Sequence, residues 1–418
     1  MRLFIIFILI LLFDTYVFQA FTEIGQNWSK PIKIIVYSIY WLIPALAIGM
    51  LTAITFMDVS KWDRNTYTIL RSVLLIIYLS KFLIVIVLFI DDLRRLLMSA
   101  YEGIAGTQSY DKSRSSFLSH MAIFVGSLPL ITLTYGIIRN RYRYKVFKEI
   151  VPVENLPKSL DGLKIVQISD IHSGSFTLKE PVKSAVDLIN SQDADLVFFT
   201  GDLVNSVASE MADFIDVFDK IKSKYGVFSI LGNHDYGDYT RWESSEAKQN
   251  NFNDLIDTHK KMGWDIMLNE NRELKINGET VSIIGVENYS ASPRFQKYGN
   301  LQKAYEGTEN SSLKLLLSHD PTHWEDEVLK KFKDIAITFS GHTHGAQFGI
   351  EIQGWIKWSP IKYVYKQWAG LYKTGKQYLY VNRGLGYLGY PGRVGILPEI
   401  TVLKLKRYES NTPNTFET

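Results

Sequence analysis

Apolar residues follow two different rhythms along this chain. Before about residue 140 they form nearly unbroken stretches, at about Leu3–Phe21, Ile32–Met57, Ile69–Ile90 and Phe117–Ile138. A helix needs roughly 20 such residues to cross a bilayer. The pattern therefore predicts an N-terminal four-helix transmembrane region over residues 1–145. A cleaved leader is the other reading of the first stretch. Arg2 is its only basic flank and Asp14 interrupts its apolar core, so a retained helix is favoured. Beyond Asp161 the apolar runs shorten to strand length: Leu163–Ile168, Asp195–Thr200, Gly226–Leu231, Leu313–Leu317 and Ile335–Phe339. A helical pattern at Val182–Ser191 separates the first two. Strand–helix alternation predicts an α/β domain with a mainly parallel sheet over residues 161–407. Residues 146–160 read as a linker, because Pro152 and Pro157 break any continuing helix, and residues 408–418 as a polar tail.

Composition narrows the function classes. A length of 418 residues leaves room for more than one domain. A net charge of +3 is too small to favour nucleic acid as the main partner. The absence of cysteine excludes disulfides and thiolate metal ligands. Charge placement also bears on topology. Arg139, Arg141, Arg143, Lys145 and Lys148 form a basic collar after the last apolar stretch. The positive-inside rule puts such a collar, and with it the α/β domain that follows, in the cytoplasm of a multi-pass protein of the inner cell membrane. The loop with Lys61 and Arg64 would lie on the same side, and the loop Asp91–Ser115 outside despite Arg94, Arg95, Lys112 and Arg114. In this topology Asp14 and Lys81 each sit about twelve residues from the cytoplasmic start of their helices, at similar depth. Charges at that depth are costly unless paired, which makes an Asp14–Lys81 ion pair one reading, with snorkelling or contact with a neighbouring subunit as the other.

The chemistry-bearing residues cluster directly after the short strands. The clusters are Asp170-Ile-His172, Gly201-Asp202, Gly232-Asn233-His234-Asp235, Ser318-His319 and Gly341-His342-Thr343-His344. Of the eight histidines, those at 172, 234, 319, 342 and 344 fall here. At a strand end, residues two apart point to the same side, so Asp170 is presented with His172 and His342 with His344. Gly201 lets the backbone turn tightly enough for Asp202 to project. Asp170, Asp202 and Asn233 recur at about thirty-residue spacing, the length of one βαβ unit. Any single cluster would pass for an ordinary turn. The ordered series reads as a two-metal hydrolytic site, with oxygen and nitrogen ligands suited to Mn²⁺, Zn²⁺ or Fe.

This order of motifs resembles the calcineurin-like metallophosphoesterase superfamily over roughly Asp161 to Arg407. The resemblance implies a four-layer sandwich of two central β-sheets flanked by helices. It implies two divalent metal ions, the first held by Asp170, His172 and His344 and the second by Asn233, His319 and His342, with Asp202 bridging both. His234 would contact a phosphate oxygen and protonate the leaving group, oriented by Asp235. The reaction implied is attack by a metal-bridged hydroxide on a phosphodiester or pyrophosphate. Gly-Asn-His-Asp, in place of Gly-Asn-His-Glu, and the absence of Asp-Arg-Gly after Asp202 argue against a protein phosphatase. The run Asp161–His172, with Gly341–Gln347 and Tyr380–Gly386, is similar to a membrane-associated bacterial branch. That branch includes UDP-2,3-diacylglucosamine hydrolases of lipid A biosynthesis, and transmembrane members are also similar.

Substrate signals are weaker. Between Gln353 and Gln377 lie Trp355, Lys357, Trp358, Lys362, Tyr363, Tyr365, Lys366, Trp368, Tyr372, Lys373 and Lys376, with no acidic residue among them. This mixture suits an anionic headgroup layer, and points to a bilayer-facing segment that admits a lipid-linked phosphoester. A β-rich excursion with core aromatics is the competing reading. Arg383 and Arg393, in glycine-rich settings, are expected to grip a second phosphate, with surface ion pairing as their alternative. His120, His259 and His323 have no assigned role. The expected activity is that of a membrane-anchored dinuclear-metal phosphodiesterase or pyrophosphatase. A tethered nuclease or cyclic-nucleotide phosphodiesterase, and a transporter or sensor with a regulatory hydrolase domain, are the alternatives. No protein partner can be inferred.

Overall fold

A computed structural model describes residues 2–58, 62–105, 112–352 and 354–408. Lys61, the side chains of Arg64, Lys112 and Arg114, and residues 409–418 of the expected tail lie outside the described residues. The chain divides into two compact units, residues 1–136 and 137–418.

In the first unit the apolar stretches form α1 (Arg2–Ile24), α2 (Lys30–Phe56), α3 (Arg64–Ala105) and α4 (Lys112–Ile138). All four are long and apolar enough to cross a membrane. Their outward faces expose large apolar side chains such as Leu12, Ile35, Phe89 and Ile131, as a hydrocarbon solvent favours. Inside the unit, Val17, Tyr40, Ile84 and Ala122 pack together. Asp14 is fully buried and ion-paired with Lys81, which favours pairing over snorkelling. Tyr78 Oη donates to Asp14 Oδ2 at 3.0 Å, and Tyr40 Oη donates to the Asp14 carbonyl at 2.6 Å. One expectation needs correction. The region from Asp91 to Ala105 continues α3 and is not loop. Its charges are offset locally: Asp91 pairs with Arg94 at 2.8 Å and Asp92 with Arg95 at 3.6 Å, each one helical turn apart.

The second unit is built on two sheets. The first half of the unit supplies β1 (Lys145–Glu154), β2 (Lys164–Ile168), β3 (Leu196–Phe199), β4 (Val227–Ser229) and β5 (Asp265–Ile266). It continues through β6 (Glu270–Ile276), β7 (Glu279–Gly285), β8 (Leu313–Leu317) and β9 (Ile337–Ser340). A small hairpin of β10 (Ile350–Ile352) and β11 (Ile356–Trp358) precedes β12 (Gly370–Thr374), β13 (Gln377–Val381) and β14 (Glu399–Tyr408). Sheet order is β1-β14-β2-β3-β4-β5 in one and β12-β13-β9-β8-β7-β6 in the other. The runs β2-β3-β4 and β13-β9-β8-β7 are parallel, which gathers the carboxyl ends of the central strands.

Packing follows from which faces are apolar. Ile165, Phe198 and Phe228 of the first sheet meet Ile283, Leu315 and Phe339 of the second in a common core. The outer face of the first sheet is covered by α5 (Lys179–Asn190), α6 (Ile215–Phe218) and α7 (Ser245–Lys261), through Val182, Val217, Leu255 and their neighbours. Leu301, Trp324 and Val328 cover the outer face of the second. The layering is helix, sheet, sheet, helix. Residues 146–160, expected as linker, are mostly sheet: β1 pairs in parallel with β14 from Lys145↔Glu399 to Glu154↔Tyr408. Pro152 is tolerated because β1 is an edge strand whose second side needs no partner.

Candidate metal centre

The expected clusters converge at the carboxyl ends of β2, β3, β4, β8 and β9. Their backbone is unusual for side-chain-bearing residues. Asp170, His172, Asp202, His342 and His344 all adopt positive φ, between 47° and 71°. Such conformations cost on the order of 1–3 kcal/mol each and persist only where the surroundings fix them. Here the fixing contacts are visible. The Asp170 carboxylate accepts the His342 amide at 3.0 and 3.1 Å, and Asp202 Oδ1 accepts the His234 amide at 2.8 Å. Gly201 turns the chain at φ 94°, as its sequence context suggested. Gly232 must also be glycine, since a Cβ there would collide with the Asp202 carboxylate.

Two groups of ligand-type atoms result. Asp170, His172 and His344 form one, and Asp202, His319 and His342 the other, each with its atoms within 4.8 Å of one another. His172 Nε2 lies 3.0 Å from His344 Nε2, and His344 Nε2 lies 3.2 Å from Asp170 Oδ1. In the second group, His342 Nδ1 lies 3.3 Å from His319 Nε2 and 2.8 Å from Asn233 Oδ1. Asp202 Oδ2 reaches both groups, at 3.5 Å from His172 Nε2 and 3.2 Å from His319 Nε2. Paired imidazole nitrogens at these distances need a proton or a cation between their lone pairs. Burial disfavours a charged His319, yet the Asp202 carboxylate outweighs it and raises the ring to about 10. The carboxylate thus draws positive charge into the centre. The donor set fits two divalent cations with nitrogen and oxygen ligands.

Partners behind the ligands orient them. His319 Nδ1 is 2.7 Å from the Thr200 carbonyl, which leaves Nε2 facing the site. Asn233 Nδ2 donates to Tyr239 Oη at 2.9 Å, which turns the amide oxygen inward. His342 Nε2 lies 2.7 Å from Tyr365 Oη. Sequence reasoning missed Tyr239 and gave Tyr365 a different setting. An aromatic-rich segment carries no mark of which ring will meet a histidine.

Three expected roles are corrected. Asp235 does not orient His234. Its carboxylate accepts the amides of Gly232, Asp202 and Leu203 at 2.8–2.9 Å, and so shapes the turn that presents Asp202. Burial and then the charge of Asp202 raise its pKa to about 7. His234 is held instead through Nδ1, 2.8 Å from the Asn205 carbonyl. Arg383 and Arg393 are not placed to grip a substrate, being 2% and 0% exposed. Arg383 pairs with Glu399 and Glu351, each at 2.5 Å. Arg393 donates to the carbonyls of Arg383, Gly384 and Gly386. Among the unassigned histidines, His323 joins Ser318 Oγ at 2.8 Å and Glu327 at 3.0 Å in a buried structural array. His259 is a neutral core residue, held to about pKa 3 by burial.

Comparison with known proteins agrees with this geometry. Residues 1–141 match the family described as "Probable Calcineurin-like phosphoesterase, transmembrane domain", and residues 163–346 match "Calcineurin-like phosphoesterase". An uncharacterized metallophosphoesterase, YkuE of Bacillus subtilis, is 30% identical over 311 residues, covering 70% of this chain and 98% of that protein. The chain is a calcineurin-like metallophosphoesterase. A transmembrane protein with metallophosphoesterase domain from Danio rerio is 27% identical, covering 73% of this chain and 67% of its own length. The Bos taurus protein of the same description is 30% identical, covering 61% and 56%. This metallophosphoesterase is a membrane protein and a metal-dependent phosphoester hydrolase.

Proposed function

We propose that the chain is a membrane-tethered dinuclear phosphodiesterase or pyrophosphatase whose substrate is a lipid-linked phosphoester. In this reading Asp170, His172 and His344 would hold one cation, Asn233, His319 and His342 would hold the second, and Asp202 would serve both. The observation that carries the dinuclear centre is the reach of the single Asp202 Oδ2 to nitrogens of both groups, at 3.5 and 3.2 Å, and the membrane helices support the lipid-linked substrate. Two divalent cations, either Mn²⁺ or Zn²⁺ or including Fe, would supply Lewis-acid activation of water and neutralise charge on the phosphoryl oxygens.

The chain's own residues supply the rest. Asp235 holds the turn that aims Asp202. His234, with Nδ1–H donating to the Asn205 carbonyl, presents Nε2 to the substrate, and in the imidazolium form its Nε2–H would bind a phosphoryl oxygen and pass its proton to the leaving group. Such proton transfer is worth roughly 10²–10⁴-fold. The basic collar at Arg139–Lys148 supports a cytoplasmic catalytic unit.

The test is an assay of the full chain in detergent, loaded with Mn²⁺ or Zn²⁺, on a generic phosphodiester and on UDP-2,3-diacylglucosamine. His234→Ala should lower turnover about 10²–10⁴-fold while keeping two bound metals. Asp202→Asn should reduce metal content as well as turnover, read by elemental analysis. Metal-independent turnover would sink the mechanism. Hydrolysis of the generic diester alone would remove the glycolipid.

A further inference from the structure

Strand β10 of the β10–β11 hairpin has its polarity reversed. Ile350 pairs with Trp358 and Ile352 with Ile356, so these four side chains share one face. On β10 that face is exposed, with Ile350 at 50% and Ile352 at 47%, and on β11 Ile356 and Trp358 are half-buried. Trp355 projects from the turn at 77% exposure. The charged pair Glu351↔Lys357 occupies the opposite face, where Glu351 is half-buried and Lys357 is exposed although its ammonium finds a partner. Glu351 meets Arg383 at 2.5 Å, and Lys357 Nζ donates to the Ala369 carbonyl at 2.5 Å. Water favours the opposite arrangement for a two-stranded ribbon on a protein surface. An apolar face presented this way needs an apolar cover.

The root of the hairpin identifies that cover. Gly349 N donates to the Val394 carbonyl at 2.9 Å, and Val394 N donates to the Gln347 carbonyl at 2.8 Å. The adjacent Arg393 carbonyl accepts Asn140 Nδ2 at 3.1 Å. Asn140 stands two positions after Ile138, the last residue of α4, inside the apolar stretch Ser116–Tyr142. The exposed hairpin is thus rooted on a loop that bonds the chain two residues beyond the end of α4. Just beyond β11, Lys362, Tyr363 and Val364 are also exposed, the composition of an interfacial segment. The rest of the aromatic and basic segment turns inward or finds partners. Trp368 is buried, Tyr365 meets His342, and Lys366 pairs with Glu325 at 2.7 Å.

We infer that the β10–β11 hairpin inserts Ile350, Ile352 and Trp355 into the headgroup–acyl boundary of the bilayer that carries this chain. The same strand leads to the metal centre, since Ser359 Oγ donates to the Gly345 carbonyl at 2.8 Å, next to His344. Insertion would hold the site at the lipid surface. Only that consequence rests on the lipid-linked substrate proposed above.

The absence of native cysteine makes the test direct. Ile352→Cys, Trp355→Cys and, on exposed α7, Lys260→Cys are spin-labelled in the full chain. Each is reconstituted in nanodiscs of phosphatidylcholine and phosphatidylglycerol. Ile352→Cys leaves Trp355 in place should that ring be needed for docking. Both hairpin labels should be more accessible to oxygen than to a water-soluble nickel chelate, with the order reversed at position 260. Hairpin labels that prefer the nickel chelate would overturn the inference. Labels shielded from both reagents, with broadening that disappears at one labelled copy per disc, would overturn it in favour of a second copy of the chain. No substrate enters the measurement, so a docked hairpin without lipid hydrolysis would overturn the substrate reading alone.

Discussion

An arginine between glycines looks the same in sequence whether it holds a ligand or holds the fold. Arg383 holds the fold: its guanidinium lies between Glu399 and Glu351 and stacks on Phe147 at 4.4 Å. Glu399 is fully buried and also receives Tyr380 Oη at 2.6 Å, so losing Arg383 strands a buried carboxylate. Breaking such a pair costs about 3–5 kcal/mol. Arg383→Met should therefore lower the denaturation midpoint by that order while leaving KM for a soluble diester nearly unchanged. A large KM increase with unaltered stability would restore the substrate-binding role. The metal-ligand types were legible because few side chains can bind a divalent cation. The roles of Asp235, Arg383 and Arg393 were not, because a carboxylate or guanidinium can bond equally well to backbone, side chain or substrate.

The strands of the catalytic unit were marked by apolar runs of the right length, and β2, β3, β4, β8 and β9 lie where those runs do. β1 escaped because its signal is weak. Only one of its sides pairs, its early residues are mixed in polarity, and Pro152 reads as a breaker. Its strand character comes from β14, more than two hundred positions away in the chain. α7 carries a similar dependence. Its His259 is fully buried against β4, with Nδ1 3.0 Å from Ser229 Oγ. Burial holds the folded pKa near 3, whereas the unfolded ring takes up a proton near 6.5. The folded state therefore loses stability as pH falls through that window, by about 2 kcal/mol between pH 6.5 and 5. His259→Phe, among Phe199 and Trp264, should flatten the melting temperature against pH over this interval. An unchanged slope would assign the acid sensitivity to other groups.

For the whole molecule, the membrane unit carries a buried polar cluster around Asp14 in an apolar surround. Asp14 and Lys81 are 67 positions apart and meet with Tyr40 and Tyr78 around them. A lone charge at that depth is costly, and pairing removes most of the penalty. Asp14→Lys or Lys81→Asp alone should reduce the yield and melting temperature of detergent-extracted protein. The double exchange should recover a substantial part of both. A double variant no better than either single would show that the pair contributes nothing to assembly.

The two halves of the chain, the strand–helix rhythm and the types of ligand atom are all legible along the chain. These depend on local hydropathy, turn chemistry and side-chain donors, all written within a few residues. The sequence also placed Asp14 and Lys81 at similar depth, because a membrane helix converts position into height. Only the tertiary structure decided which carboxylate serves two groups of ligands and which holds a turn. It alone put Tyr365 on His342 and sent the arginines inward. It also separated the outward hairpin from the buried remainder of the aromatic segment. Those outcomes depend on which strands become neighbours, and hydrogen bonds between residues distant in the chain leave no local mark.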